Sequence, residues 1–134
     1  MRPTVLADTG PLFAALDPDD TFHRRAHDEI KLLNRNGVGI AILYPTLLET
    51  YSLVLYRLGI QPAQVWLGEV SRGAQLLNPL PDDYDQAKQR LLTYQDQRMS
   101  LFDAVLATAS QRLRVPVWTF DHHFDVMRVA VWRV

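Results

Sequence analysis

Short apolar runs alternate along the chain with longer segments in which apolar residues recur at helical spacing. The short runs are typical of strands, and a run without polar alternation is typical of a strand buried on both faces of a sheet. The longer segments are typical of helices with one face against the core. We predict strands over residues 3–7, 38–43, 74–77, 115–120 and 129–134. We predict helices over residues 21–35, 44–58, 61–73, 81–97 and 100–114.

Glycine, proline and acidic residues set the predicted boundaries between these elements. Gly10-Pro11 is predicted to turn the chain after the first strand. Asp20 ends an Asp-Pro-Asp-Asp turn and is the N-cap candidate of the next helix. Gly37 and Gly59 follow predicted helices and stop them.

The alternation of helices and strands predicts an α/β fold, with a parallel sheet of four to five strands and helices on both faces. In open sheets of this class, ligands bind beyond the carboxyl ends of the strands, where the strand order reverses. Asp8 follows the first predicted strand, and Asp121 follows the strand predicted over residues 115–120. These two acids are therefore candidates for a binding site.

Composition narrows the class of protein. With 134 residues the chain predicts one domain, and 48% hydrophobic with 22% charged residues is close to the average globular protein. The absence of cysteine excludes disulfides and thiolate metal sites. No apolar run approaches the roughly 18 residues that a membrane span needs, and no secretory signal is recognisable. We therefore expect a cytoplasmic protein without a membrane partner.

The net charge gives no support to nucleic-acid binding by itself. It is −1, with a pI of about 6.4, whereas many nucleic-acid binders carry a strong positive excess. Any such function has to be argued from where particular residues lie.

Four acids stand out by position. Asp8 and Asp121 follow predicted strands, Glu49 lies in the first turns of the helix that begins near Pro45, and Asp103 lies in the first turn of the helix that begins at Ser100. Each acid also has a simpler interpretation. Asp8 and Asp121 could close turns, Glu49 could be a solvated surface residue, and Ser-x-x-Asp at residues 100–103 is a capping box.

The chemistry of the set depends on whether the four carboxylates meet. Within about 5 Å of one another, each pair would repel by roughly 3 kcal/mol at an effective dielectric of about 20. Mg²⁺ and Mn²⁺ prefer carboxylate and water oxygens. Metal held on such a cluster can clamp a phosphodiester and activate water for in-line attack. A cluster of these four acids therefore indicates a divalent-cation site.

Three segments that contain these acids resemble the motifs of PIN domains. Residues 6–14 (Leu-Ala-Asp-Thr-Gly-Pro-Leu-Phe-Ala), with Asp17-Pro18-Asp19-Asp20 and His23 after them, are similar to the opening motif. Residues 100–107 are similar to the third acidic motif, and Thr119-Phe120-Asp121 resembles the closing T-x-D motif. Glu49 falls where the family carries its second acid. The resemblance covers nearly the whole chain and is greatest to VapC-type toxins of toxin–antitoxin pairs.

The resemblance implies a PIN-like three-layer fold and a Mg²⁺- or Mn²⁺-dependent endoribonuclease acting on RNA. It implies metal ligation by Asp8, Glu49, Asp103 and Asp121, with supporting hydroxyls on Thr9 and Thr119. It also implies a homodimer and a cognate antitoxin that covers the acidic pocket. Two alternatives within this fold are a PIN nuclease of RNA processing or decay, and an inactive interaction module. The complete acid set argues against the second.

Arginines are the candidates for phosphate contacts, which position RNA without reading its sequence. Arg98 is the nearest in sequence to a predicted metal ligand and is the first candidate. A solvated surface position is the alternative for each of them. The arginines considered are Arg24, Arg25, Arg90, Arg98, Arg112, Arg114 and Arg128.

Histidines offer a weaker metal site. His23 and His27 have the spacing of half a zinc site, but no glutamate follows His23 and no third ligand is evident, which favours a structural role. His122-His123 lies beside Asp121, and we expect one of these adjacent side chains to point away from the pocket.

Two other enzyme classes place an aspartate after the first strand, and single residues argue against both. A haloacid-dehalogenase-type phosphotransferase needs a second aspartate two positions after Asp8, where this chain has Gly10. A response-regulator receiver needs a lysine at a late strand end. The only lysines, Lys31 and Lys88, lie in predicted helices.

Overall fold

A computed structural model of the chain describes residues 2–134. Its strands are β1 (Thr4–Ala7), β2 (Gly39–Leu43), β3 (Gln75–Leu77) and β4 (Val117–Trp118). They form a sheet that is parallel throughout and has the strand order β3-β2-β1-β4. The chain thus adds β2 and β3 on one side of β1 and then returns to place β4 on the other side. The strand order reverses between β1 and β4, so a ligand crevice is expected at their carboxyl ends.

Helices cover both faces of this sheet. Val5 and Ala7 of β1 pack among the helices of one face, whereas Leu6 between them packs among the helices of the other, because successive strand side chains point to opposite faces. The first face carries α1 (Thr9–Leu16), α2 (His23–Arg35), α3 (Tyr44–Leu58) and α4 (Ile60–Gly73). The second face carries α5 (Pro81–Thr93), α6 (Leu101–Leu113) and α7 (His123–Val126). The three-layer α/β architecture is therefore confirmed.

The core lies on both sides of the two central strands. Ala41, Ile42 and Leu43 of β2 are each 1% exposed, which explains why this strand reads as a continuous apolar run without alternation. Helix α6 contributes Ala104 and Ala107, both fully buried, to the face that packs on the sheet. Small side chains there let the helix backbone approach the strands, so the N-terminus of α6 is held close to the sheet.

The two C-terminal strand predictions were largely wrong. The run over residues 115–120 forms only the two-residue strand β4, and the run over residues 129–134 contributes a single parallel bridge between Val117 and Val131. Pro116 has no N–H to give the sheet. Beyond the strand, the Asp121 N–H donates to Thr119 Oγ1 at 2.9 Å, which turns the chain away from the sheet.

Two N-terminal boundaries also differ from the prediction. Gly10-Pro11 does not form a turn but lies in the first turn of α1, where proline is tolerated because its missing N–H would have no partner in the helix. Asp20 does not cap α2. The helix begins at His23, and the Asp20 carboxylate accepts instead from the Phe22 N–H at 2.8 Å.

Helix α5 is shorter than predicted and α7 was not predicted. Helix α5 ends at Thr93 rather than near Gln97, because Tyr94 leaves the helical conformation and packs against the core on the α6 side, and the chain then turns towards α6. Helix α7 is a single turn begun by the Asp121 carboxylate, which accepts from the His123 N–H. Within residues 2–134, no helix is long and apolar enough to cross a membrane.

Candidate active site

An acidic pocket of about 510 Å³ opens at the carboxyl ends of β1 and β4, where the strand order reverses. All four predicted acids line it, each from a separate segment: Asp8 after β1, Glu49 on α3, Asp103 on α6 and Asp121 after β4. The fold therefore brings all four predicted acids to one pocket. The other lining residues are Thr9, Gly10, Asp20, Phe22, Ser100, Phe120 and His122.

Asp8 is the most buried of the four acids, at 8% exposure. It is the N-cap of α1: its Oδ1 accepts from the Thr9 N–H at 2.9 Å, and its Oδ2 accepts from Thr119 Oγ1 at 2.8 Å. Burial, and then the charge of Asp103, raises the pKa of Asp8 from 3.8 to about 7, although the hydrogen bonds from Thr119 and Thr9 act in the opposite direction. Asp8 therefore caps a helix rather than closing a turn, and this role leaves a carboxylate whose charge is not compensated.

Glu49 is held by a chain of two threonine hydroxyls. Thr9 Oγ1 donates to Glu49 Oε1 at 2.6 Å and lies 2.9 Å from Thr50 Oγ1, which is fully buried. Because Thr9 gives its only hydroxyl proton to Glu49, Thr50 must be the donor in the second contact. Burial raises the pKa of Glu49, and the charge of Asp103 raises it further.

Asp103 forms the capping box and also faces the pocket. Its N–H donates to Ser100 Oγ at 3.1 Å, and its Oδ2 accepts from the Ser100 N–H at 3.0 Å. Within residues 2–134, its Oδ1 accepts no hydrogen bond. Burial raises the pKa of Asp103, and the charge of Asp121 adds to this, whereas the Ser100 backbone and His123 lower it. The two interpretations of this residue are therefore compatible.

Asp121 lies beside both adjacent histidines. Its Oδ1 accepts from the His123 N–H at 2.9 Å and lies 2.9 Å from His123 Nδ1 and 3.6 Å from His122 Nδ1. The two rings do not diverge: their centroids are 4.3 Å apart, although only His122 lines the pocket. The three side chains offer ligand atoms within 4.8 Å of one another. His123 Nδ1 is buried and has no hydrogen-bond partner among residues 2–134.

The acids of the pocket are not paired with lysine or arginine. No lysine or arginine in the described part of the chain forms an ion pair with Asp8, Glu49, Asp103 or Asp121. Several partly buried carboxylates without a compensating cation are unfavourable, as the raised pKa values show. A set of oxygen donors in this state fits a hard divalent cation.

Other candidate residues lie outside the pocket. Arg98 is exposed and does not line it. Asp125, the acid nearest to Asp121 in sequence, is also exposed and pairs with Arg133. His23 Nδ1 and His27 Nε2 contact the carbonyls of Ala14 and Ala15 at 2.7 and 2.8 Å. These contacts hold α2 against the end of α1, so the two histidines have a structural role.

Sequence reasoning missed part of the pocket wall. Asp20, Phe22 and Phe120 line the pocket but lie in loops or at element boundaries, where hydrophobic periodicity gives no signal. Asp20 was interpreted only as a helix cap. The one available signal was that Phe120 and Asp20 belong to the segments that carry the family motifs.

An apolar groove of about 540 Å³ adjoins the acidic pocket and shares Glu49 with it. Three of its side chains, Leu48, Leu101 and Phe102, are more than 40% exposed. The groove lies between α3, α5 and α6. The residues that line it are Pro45, Leu48, Glu49, Ser52, Tyr84, Leu101, Phe102 and Val105.

No family model matches the chain, and no curated protein is significantly similar to it in sequence. Solved structures are similar in fold. VapC20 of Mycobacterium tuberculosis, a sarcin–ricin-loop-cleaving toxin, aligns with a TM-score of 0.83 and 20% identity over 97% of this chain and 99% of its own. VapBC2 of Rickettsia felis, bound to a promoter DNA fragment, aligns with a TM-score of 0.75 and 14% identity over 97% of both chains. FitAcB of Neisseria gonorrhoeae aligns with a TM-score of 0.67 and 18% identity over 96% of both.

At these identities the similarity establishes the fold. The chain has the PIN-domain fold of the VapC-type structures, as its sequence motifs predicted.

Proposed function

We propose that this chain is a metal-dependent endoribonuclease that hydrolyses RNA phosphodiester bonds, and that it is the toxin of a VapBC-type toxin–antitoxin pair. The observation that carries the proposal is that Asp8, Glu49, Asp103 and Asp121, from four separate segments, line one pocket, and that no lysine or arginine among residues 2–134 pairs with them. The fold supports it, because VapC20, which shares the fold, is a toxin that cleaves the sarcin–ricin loop.

The donor set fits Mg²⁺ or Mn²⁺, and Asp8, Glu49, Asp103 and Asp121 are the residues that would hold it. Bound there, the metal would neutralise charge on the phosphodiester and activate water for in-line attack. The chain supplies mostly carboxylate oxygens, which favours Mg²⁺ and Mn²⁺ over metals that prefer nitrogen ligands. His122 and His123 offer nitrogen donors beside Asp121.

Hydroxyl groups of the chain orient these carboxylates. Thr119 Oγ1 donates to Asp8 Oδ2 and accepts from the Asp121 N–H, so that one hydroxyl fixes two of the acids. Thr9 fixes Glu49 in the same way. We assign Thr119 a supporting role in catalysis on this basis, since partners of this kind set the orientation of metal ligands.

Partners follow from the fold and from the surface next to the pocket. VapBC2 and the other toxin–antitoxin structures with this fold make a cognate antitoxin the expected protein partner. The exposed apolar groove beside Glu49 is a surface that a second protein would cover, whether an antitoxin or a second copy in a homodimer.

A cleavage assay tests the nuclease. The purified protein is incubated with structured and single-stranded RNA in Mn²⁺, in Mg²⁺ and in chelator, beside Asp103→Asn. We expect cleavage that requires metal and is lost in the variant, and calorimetry should show Mn²⁺ binding to the wild type. Cleavage in chelator, or equal cleavage by the variant, would contradict the assignment. Absence of both cleavage and metal binding would favour an interaction module.

The toxin role needs a separate test, because a PIN nuclease of RNA processing would pass the first one. Expression of the wild type in a bacterial host should arrest growth, and expression of Asp103→Asn should not. Equal growth of both strains, together with metal-dependent cleavage in vitro, would favour the processing or decay role.

A further inference from the structure

Two phenylalanine rings form one wall of the acidic pocket. The ring centroids of Phe22 and Phe120 are 5.1 Å apart, with the planes inclined at 40°. Phe22 precedes α2, and its N–H and carbonyl are held by Asp20 and Ala26. Even so, the side chain of this anchored residue is 41% exposed, beside a polar pocket. An aromatic ring in this position presents a flat apolar face to whatever enters the pocket.

An arginine lies against the same two rings. The guanidinium carbon of Arg25 is 4.3 Å from the centroid of the Phe120 ring and 5.9 Å from that of Phe22. Arg25 Nε donates to Glu29 Oε2 at 2.8 Å, and the other oxygen of the buried Glu29 accepts from Trp118 Nε1 at 2.8 Å. The guanidinium is therefore positioned by the core.

The anchored guanidinium keeps its terminal nitrogens available. Within residues 2–134, neither terminal nitrogen of Arg25 donates to a protein acceptor, and the side chain is 49% exposed. A guanidinium fixed through Nε presents its two terminal N–H₂ groups to one side. This geometry matches the oxygens of a phosphate group.

We propose that Phe22, Phe120 and Arg25 form a binding site for single-stranded RNA at the rim of the acidic pocket. The exposed face of Phe22 stacks on a nucleobase beside the cleaved bond, and Arg25 binds a neighbouring phosphate. The inference rests on the proposed function and adds to it the form of the substrate. A base can reach the Phe22 ring only when it is unpaired, so the site selects a single strand or a loop.

The electrostatics of the pocket favour such a site. A pocket with five acidic side chains, counting Asp20, repels a polyanion, and a metal offsets that repulsion only at its centre. Affinity for the flanking nucleotides has to come from elsewhere. Base stacking is independent of charge, and Arg25 is a cation positioned directly beside the aromatic wall.

The test measures binding without cleavage. A 12-nucleotide single-stranded RNA that carries 2-aminopurine near its centre is titrated, in Mg²⁺, onto the full chain with Asp103→Asn. Stacking of 2-aminopurine on the ring quenches its fluorescence, and anisotropy of an end label gives the Kd. We expect Phe22→Leu to abolish the quenching and to raise the Kd about tenfold. Phe22→Trp should keep both signals, which guards against a mere folding defect.

Arg25 is tested by salt dependence. Arg25→Gln should weaken binding. The slope of log Kd against log salt should decrease by the amount expected for the loss of about one phosphate contact. Arg25→Lys should keep most of the slope.

Tyr56→Leu is the matched control for Phe22→Leu, because Tyr56 is an aromatic residue that is 86% exposed and does not line the pocket. We expect it to change neither signal.

The possible failures are distinguishable. If the RNA binds and the wild type cleaves it with metal, but Phe22→Leu retains the Kd and the quenching, the RNA site is overturned and the nuclease stands. If the RNA does not bind and the wild type neither cleaves nor takes up Mn²⁺, both proposals are overturned.

Discussion

Two aspartates occupy the same place in successive helices and have opposite electrostatics. Asp83 and Asp103 are the third residues of α5 and α6, and each accepts from the backbone N–H of the residue before its helix, Leu80 at 2.8 Å and Ser100 at 3.0 Å. Arg112 donates to Asp83 from two nitrogens and lowers the pKa of that carboxyl, despite almost complete burial. The pKa of Asp103 is instead raised.

The difference shows that neither capping nor burial distinguishes the acid that we propose as a metal ligand from the structural one. Both residues begin a helix, and Asp83 is the more buried of the two. What separates them is the partner: Asp83 joins α5 to α6 through Arg112, whereas Asp103 faces other carboxylates. An acid that the fold leaves without a cation is the one to expect at a metal site.

Activity should separate the two aspartates most strongly. Asp103→Asn should reduce RNA cleavage a hundred- to about a thousandfold, the loss typical of removing one group that stabilises transition-state charge. Asp83→Asn should leave cleavage within about twofold of the wild type, when both are assayed well below their melting temperatures. Initial rates at saturating Mn²⁺ provide the measurement. If Asp83→Asn also abolished cleavage in a folded protein, the division between structural and functional acids would be wrong.

The uncompensated charge of Asp8 should appear in the pH dependence of the free energy of unfolding. Its folded pKa of about 7 lies above the ordinary 3.8, so the folded state binds the proton more tightly than the unfolded state. In chelator, the contribution of Asp8 to the free energy of unfolding should therefore fall as pH rises from about 4 to 7, by at most about 4 kcal/mol.

Asp8→Asn removes this dependence and should be more stable than the wild type at pH 8 in chelator, by about 2 kcal/mol after allowance for coupling among the acids. At pH 4 the two proteins should differ little. Urea unfolding at both pH values measures the difference. Saturating Mn²⁺ should stabilise the wild type more than the variant. A constant difference between them at all pH values would show that Asp8 does not titrate in this range.

Asp83 should show the opposite sign. Because its folded pKa is lowered, its stabilisation is complete above its unfolded pKa of about 4 and is lost as pH falls through the folded value. Asp83→Asn should therefore lower the free energy of unfolding at pH 7 by about 2 kcal/mol, the usual cost when one partner of a buried polar contact is removed. The deficit should shrink below pH 4, and chelator should not affect it. Urea unfolding at pH 7 and pH 3 checks both statements.

The sequence predicts only part of the contrast between these two acids. Strand ends and helix starts were enough to select Asp8, Asp103 and their two companions, because these positions follow from hydrophobic periodicity. The ion pair of Asp83 was not predicted, because its partner Arg112 lies 29 residues away on another helix. For a similar reason, the aromatic wall at Phe22 escaped notice: loop residues carry no periodic signal, and only the fold brings them together.

The predicted end of an element was wrong where a local hydrogen bond outweighed the hydrophobic pattern of the sequence. The run over residues 115–120 has strand composition, yet Thr119 leaves the sheet because its hydroxyl accepts from the Asp121 N–H and closes a turn. That departure from the sheet places Asp121 in the pocket. The position that broke the strand prediction is therefore one on which the site depends.

Thr119 should give the smallest effect. Its hydroxyl donates to Asp8 and accepts from the Asp121 N–H, so Thr119→Val removes one contact from each acid and preserves the shape of the side chain. Because that hydrogen bond lowers the pKa of Asp8, its loss should raise this pKa further and make the carboxylate harder to ionise for a metal. We expect Mn²⁺ affinity to fall about tenfold, the lower end of the range for residues that orient metal ligands.

Calorimetric titration with Mn²⁺ measures this effect, and Thr108→Val provides the matched control. Thr108 is equally buried, and its hydroxyl donates to the Ala104 carbonyl within α6 and accepts from Arg90, away from the pocket. Both variants should lose some stability, but only Thr119→Val should lose metal affinity, and Thr119→Ser should restore it. Equal Mn²⁺ affinity in the two valine variants would show that Thr119 stabilises the turn but does not support metal binding. The acids would then be oriented by the helix N-termini alone. Asp103 is oriented in this way without any contact to Thr119, so it would be the better model for the whole site.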